Sequence, residues 1–295
     1  MNSHRWPQAL PFLAVLGSVT ALGIGTSFAK QLFPQVGSLG TTALRVGLSA
    51  LVMLVLWRPW RWRLSRLDAI SIIKYGVALG FMNLLFYMSL RTIPFGIAVA
   101  FEFCGPLTVA AASSRRRIDF VWLALAVLGL GLLLPIETGT APLDPVGVTY
   151  ALAAAVCWGA YIVFGKRVGH LHTGQIVPLG LTVAAFAVVP FGAWQAGSAL
   201  LDPHILLFGL GIAVVSSAIP ISLEMMALKR LPKEAFGVMI SIEPAVAALL
   251  GYLVLDEHLN VLQWTAIGAT MLAAAGSAAT ARGTLPRSEP SEVVV

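Results

Sequence analysis

The chain has 295 residues, of which 58% are hydrophobic and only 11% charged, with a mean hydropathy of +0.87 and a formal net charge of +6. A soluble domain carries roughly 25% charged residues, so the composition excludes an ordinary globular enzyme and reads as a polytopic membrane protein. The cations fall in short loops between apolar runs, where they orient a protein in a lipid bilayer, and they imply no nucleic-acid partner.

Apolar runs of about 17–22 residues are the unit that crosses a bilayer, and the sequence predicts ten. The first five lie near 9–29, 39–57, 69–90, 96–113 and 120–135. The second five lie near 146–165, 175–194, 205–226, 235–255 and 261–281. A short stretch, 1–8, precedes them, a linker spans 136–145, and a polar tail covers 282–295, predicted to be disordered. No small-residue cleavage site follows the first run, so it reads as a retained span.

With the N-terminus inside, the cytoplasmic segments hold fifteen of the nineteen Lys and Arg, in clusters such as Arg58, Arg61, Arg63 and Arg66, then Arg115 to Arg117, then Lys229, Arg230 and Lys233. The outer loops keep Lys30 and Arg91 and otherwise carry acids: Glu137, Asp144, Asp202, Asp256 and Glu257. That alternation predicts both termini in the cytoplasm. Ten spans divide as five plus five, and an odd number inverts the second half. Pro94 and Pro106 are twelve apart, as are Pro232 and Pro244, and the pairs are offset by 138. Phe28-Ala29-Lys30 and Phe164-Gly165-Lys166 are offset by 136. The predicted fold is therefore all-α, two inverted five-helix repeats over 9–135 and 146–281, an architecture that places a site near the midplane for alternating access.

Ionisable residues inside such runs are functional-site candidates by default. Glu102 lies in the fourth run, four residues before Pro106, whose missing N–H leaves the Glu102 carbonyl without its helical partner. Glu243 directly precedes Pro244; moved back by 138 it falls three residues from Glu102, nearly one helical turn. A carboxylate held away from water is suited to exchanging a proton or facing a substrate ammonium; a structural acid bonded to a neighbouring helix is the plainer alternative. Arg45, roughly two turns into the second run, suits a substrate carboxylate or a glutamate, or else snorkels outward. Asn83 and Tyr87 are four apart on one face of the third run and suit a polar solute or an interhelical bond. Trp158 sits centrally enough to line a cavity, and Glu224 lies toward the inner end of the eighth run, within reach of the cytoplasmic interface.

The remaining signals read as structural. Gly76 and Gly80 form a close packing surface, Lys30 and Lys166 are interface anchors, and Trp57, Trp60 and Trp62 are belt residues. Cys104 and Cys157 read as small core residues, with neither a disulfide nor a metal site supported. His170 and His172 share a loop with no neighbouring carboxylate or cysteine and read as solvated. No phosphate-cradling glycine loop is present, so neither an enzyme nor a cofactor is implied.

The strings SFAKQLFP (27–34), TALR (42–45), GIAVAFEFCGPLTVAAASSRR (96–116), SLEMMALKRLP (222–232) and IEPAVAALLGYLVLDE (242–257) resemble the drug/metabolite transporter superfamily, specifically carriers built from two EamA-type five-helix repeats. The likeness runs over roughly 10–280. It departs at Asp256, where such carriers usually have glycine. The resemblance implies proton-driven efflux of threonine, homoserine and related small amino acids across a bacterial inner membrane, through a cavity between the repeats that holds Glu102 and Glu243. A chain containing both repeats is expected to work as a monomer or weak homodimer. The residues alone leave two further readings: the same fold exporting another metabolite or a cationic drug, and a membrane sensor or scaffold without flux.

Overall fold

A computed structural model describes residues 10–93, 95–133, 144–240, 242, 243, 245, 246 and 261–282. Every regular element among the described residues is helical, as apolar segments with no water for their backbone require. In chain order these are α1 (Leu10–Ala29), a 3₁₀ turn (Lys30–Leu32), α2 (Phe33–Trp57), a second 3₁₀ turn (Pro59–Arg61), α3 (Arg66–Ser89), α4 (Phe95–Glu102), α5 (Cys104–Ser113) and α6 (Arg117–Leu133). There follow α7 (Pro145–Arg167), α8 (Thr173–Ala196), a third 3₁₀ turn (Gly197–Leu201), α9 (Pro203–Ala213), a π-helical turn (Val214–Ala218), α10 (Ile219–Arg230), α11 (Lys233–Ile240) and α12 (Val261–Arg282).

Five stretches are long and apolar enough to cross a membrane: Leu10–Trp57, Arg66–Ser89, Pro145–Arg167, Thr173–Leu201 and Pro203–Arg230; Ala98–Ser113 is a shorter apolar helix. The first is 48 residues long, more than twice the roughly 20 that one crossing needs, and is broken by the 3₁₀ turn and by Gly37 at φ 70°. The chain is thus a multi-pass membrane protein.

Local chemistry sets the helix ends. Asp144 and Asp202 cap α7 and α9, accepting from the Val146 amide at 3.1 Å and the His204 amide at 2.8 Å, with proline at the first helical position of each. Ser65 caps α3 and is itself bonded to Asp68, with the two side chains 2.6 Å apart. Glycine lets helices approach where they cross. A Cβ on Gly76 would meet the Gly180 carbonyl of α8, and one on Gly105 would strike the Ala155 carbonyl of α7. The main pairings are α1 with α10, α2 with α8, α3 with α7 and α8, α5 with α7 and α11, and α6 with α12.

Two predicted runs are interrupted. The fourth breaks at Phe103, between α4 and α5, opposite Pro106. The eighth, expected as one helix over 205–226, contains the π turn, whose extra residue rotates α10 by about 100° relative to a continuous α-helix. Pro94, Pro244, Glu137, Asp256, Glu257, the stretch 1–8, most of the linker and the tail after 282 lie outside the described residues, as does most of the ninth run.

Candidate substrate site

A cavity of about 40 Å³ lies where helices from both halves of the chain meet. From the first half, α1 contributes Leu22, Gly23 and Thr26, α2 contributes Arg45, α3 contributes Met82, Asn83 and Phe86, and the end of α4 contributes Glu102. From the second come Trp158 of α7, Glu224 of α10 and Glu243. Six of the seven candidate binding residues therefore line one space, and the seventh, Tyr87, lies fully buried behind Arg45. The volume admits a few waters and is too small for an amino acid.

Arg45, 5% exposed, does not snorkel. Its guanidinium donates to the Asn83 side-chain oxygen and, at 2.8 Å, to the Tyr87 hydroxyl, with the Tyr87 ring centroid 5.0 Å away. Asn83 in turn donates to the Leu79 carbonyl at 2.8 Å. Of the two roles expected for Asn83 and Tyr87, these contacts are the interhelical one: the Asn83 side-chain oxygen and the Tyr87 hydroxyl hold Arg45. Arg45 lies close enough to Glu102, Glu224 and Glu243 for its charge to act on all three, yet forms no ion pair with any of them.

The acids differ in surroundings. Glu224 does not reach an interface; at 5% exposure it is held at both oxygens, by the Ser18 hydroxyl at 3.0 Å and the Tyr161 hydroxyl at 3.1 Å. Glu102 is buried and accepts no hydrogen bond from the described residues, while Oε2 of the partly buried Glu243 is enclosed without a partner. Nε of Arg45 and the indole N–H of Trp158 are likewise buried and unpartnered. Sequence reasoning missed Ser18, Thr26 and Tyr161; their neutral hydroxyls carry no signal in an apolar run.

A larger cavity of about 430 Å³ opens between α1 and α9, walled by Ile24, Phe28, Leu207 and Phe208 among others. Its one titratable lining residue is His204, so it lacks the charge a small polar solute needs.

Elsewhere, Lys166 does more than anchor at an interface. Its ammonium caps α10 by donating to the carbonyls of Leu228 at 2.8 Å and Leu231 at 2.5 Å. His170 does meet a carboxylate, Asp68 Oδ1 at 3.0 Å, contributed by a helix 102 residues earlier. His172 stacks on Trp62 with ring centroids 5.2 Å apart. Cys104 is exposed on α5 and is not a core residue.

The profile of the EamA-like transporter family matches residues 145–278. The threonine/homoserine exporter RhtA of Escherichia coli strain K12 is 46% identical over 279 residues, covering 95% of each chain. The exporter of the same name from Salmonella typhimurium strain LT2 is 46% identical over 281 residues, again covering 95% of each. A crystal structure sharing 18% identity superposes with a TM-score of 0.71 over 94% of this chain and 98% of its own, a likeness of fold. The chain is a membrane transporter and not an enzyme, and it belongs to the EamA-like transporter family of the drug/metabolite transporter superfamily.

Proposed function

We propose that this protein is a bacterial inner-membrane secondary transporter that exports threonine, homoserine and related small amino acids by proton-coupled alternating access. The observation that carries the reading is the set of unsatisfied polar atoms around one small central cavity. Two donors, Arg45 Nε and Trp158 Nε1, and one acceptor, Glu243 Oε2, are buried there without partners, beside an unbonded Glu102. Each such group costs roughly 1–3 kcal/mol when left unmade, and a zwitterion supplies what they lack. Its carboxylate would accept from Arg45 and Trp158, and its ammonium would donate to Glu102 or Glu243. The similarity to the threonine/homoserine exporters of Escherichia coli and Salmonella typhimurium supports the cargo.

The helix pairings support two repeats and, with them, ten crossings. Exchanging α1 with α7, α2 with α8, α3 with the α9–α10 unit, α4–α5 with α11, and α6 with α12 maps the main contacts onto one another: α1–α10 becomes α7–α3, while α2–α8, α5–α11 and α6–α12 map onto themselves. The family profile spans 145–278, close to the 146–281 expected for the second repeat, which supports a repeat boundary there. In this reading the termini face the cytoplasm and the halves rock about the cavity. More than one acid lets a proton and the substrate compete for the site, which couples their movements.

The excess of acids over Arg45 also favours a second cargo class, an organic cation, on the same fold. Export assays separate the two, since a drug pump protects cells from lipophilic cations and not from homoserine. The test of the site is Glu102→Gln in vesicles loaded with labelled homoserine. Efflux should fall at least tenfold at equal protein, and efflux at the wild-type rate overturns the role of Glu102.

A further inference from the structure

Among the described residues lining the central cavity, Thr26 carries the only hydroxyl. Serine and threonine in apolar helices often return the hydroxyl to the carbonyl four residues back, and this chain does so at Ser27, Thr41, Thr42, Ser49 and Ser216. Thr26 is 3% exposed and sits beside Ser27, yet its hydroxyl makes no hydrogen bond to any described residue. The other polar groups of the lining are spoken for. Asn83 is bonded to Arg45 and Leu79, and both oxygens of Glu224 are held by Ser18 and Tyr161. The unpartnered atoms of Arg45, Trp158 and Glu243, together with Glu102, suit the charged ends of an amino acid. What remains for a side chain is an apolar wall of Leu22, Met82 and Phe86 with one uncommitted hydroxyl in it.

We propose that Thr26 reads the side-chain hydroxyl of the transported amino acid and so sets the preference for hydroxylated over plain aliphatic cargo. The inference rests on the proposed function, because it assumes that the cargo's charged ends occupy the acids and Arg45. Its physical basis is an asymmetry: a buried polar group meeting an aliphatic ligand stays unpaired, whereas a hydroxyl satisfies it.

A single probe isolates the effect, since 2-aminobutyrate is the deoxy analogue of both threonine and homoserine. The measurement is competition against efflux of labelled homoserine from proteoliposomes, with unlabelled homoserine and 2-aminobutyrate as competitors. It is run on wild type, Thr26→Val, which keeps the shape and removes the hydroxyl, and Thr26→Ser, which keeps the hydroxyl. Wild type should favour homoserine over 2-aminobutyrate, Thr26→Val should reduce that ratio by roughly tenfold, and Thr26→Ser should retain most of it. A ratio does not depend on how much protein is reconstituted, so a loss of expression in one variant leaves the readout intact. An unchanged ratio in Thr26→Val, or an equal loss in Thr26→Ser, overturns the role of Thr26 while leaving the exporter reading in place. A wild type that carries no homoserine overturns that reading, and this inference with it.

Discussion

At the scale of single residues, charge and the Asn83–Tyr87 pair were legible in the sequence, and lone serine and threonine hydroxyls were not. Glu102, Arg45, Glu224 and Glu243 stand out in apolar runs because an ionisable group in lipid is costly and needs a reason. Thr26 and Ser18 look the same in the sequence as Thr42 and Ser27, which serve only their own helix; which hydroxyl faces the cavity is decided by packing. Arg45 offers a sharp test because its planar fork spans two partners on α3 at once. Arg45→Lys keeps the charge but cannot reach both, so efflux of homoserine is expected to fall by about tenfold or more; a variant with wild-type flux contradicts the assignment. Tyr161→Phe removes one of the two donors to Glu224. Loss of a buried hydrogen bond of this kind costs about 1–3 kcal/mol, to be read as a lower unfolding midpoint in detergent, and an unchanged midpoint would show that the bond contributes nothing.

At the scale of helices, the described elements fall within a few residues of the predicted runs, because hydropathy over about 20 residues is a strong signal. The π turn at Val214–Ala218 was not legible, since nothing in VVSSA distinguishes it from a continuous helix. Helix contacts make their own prediction. Gly105→Ala drives a methyl into the Ala155 backbone where α5 crosses α7, which neither helix can relieve by turning a side chain. A cost of about 1–3 kcal/mol or more is expected, seen as a lower melting temperature in detergent. A Cβ on Gly131 of α6 meets nothing within 4 Å, so Gly131→Ala should be neutral or slightly stabilising. Equal behaviour of the two variants would contradict the close α5–α7 approach.

The loop before α4 is tied to the start of α7 by the Thr92 hydroxyl, which with the amides of Val146 and Gly147 holds the Asp144 carboxyl below its ordinary value. A depressed folded value means that the contact stabilises the fold above the unfolded value near 3.8 and loses that contribution as pH falls through the folded one. Thr92→Val should raise the Asp144 value toward the ordinary one, as read by carboxyl NMR titration.

At the scale of the whole molecule, proline spacing and loop charge are what point to the proposed inverted arrangement, whereas the small size of the central cavity belongs to packing alone. On the side proposed to be cytoplasmic, Lys166 grips the end of α10, Lys229 donates to the Leu171 carbonyl at 2.5 Å, and His170 meets Asp68. On the opposite side the Leu39 amide donates to Gln195 at 3.0 Å. A cavity of about 40 Å³ has to widen before it can hold an amino acid, and under the proposed alternating access one set of ties would release while the other holds.

The most direct test of proton-driven amino-acid export is the efflux of labelled homoserine from proteoliposomes containing the purified protein, with the outside made acidic relative to the lumen. Efflux should accelerate with the gradient and fall back when a protonophore collapses it. Efflux no faster than from protein-free liposomes, or indifferent to the gradient, would contradict the account.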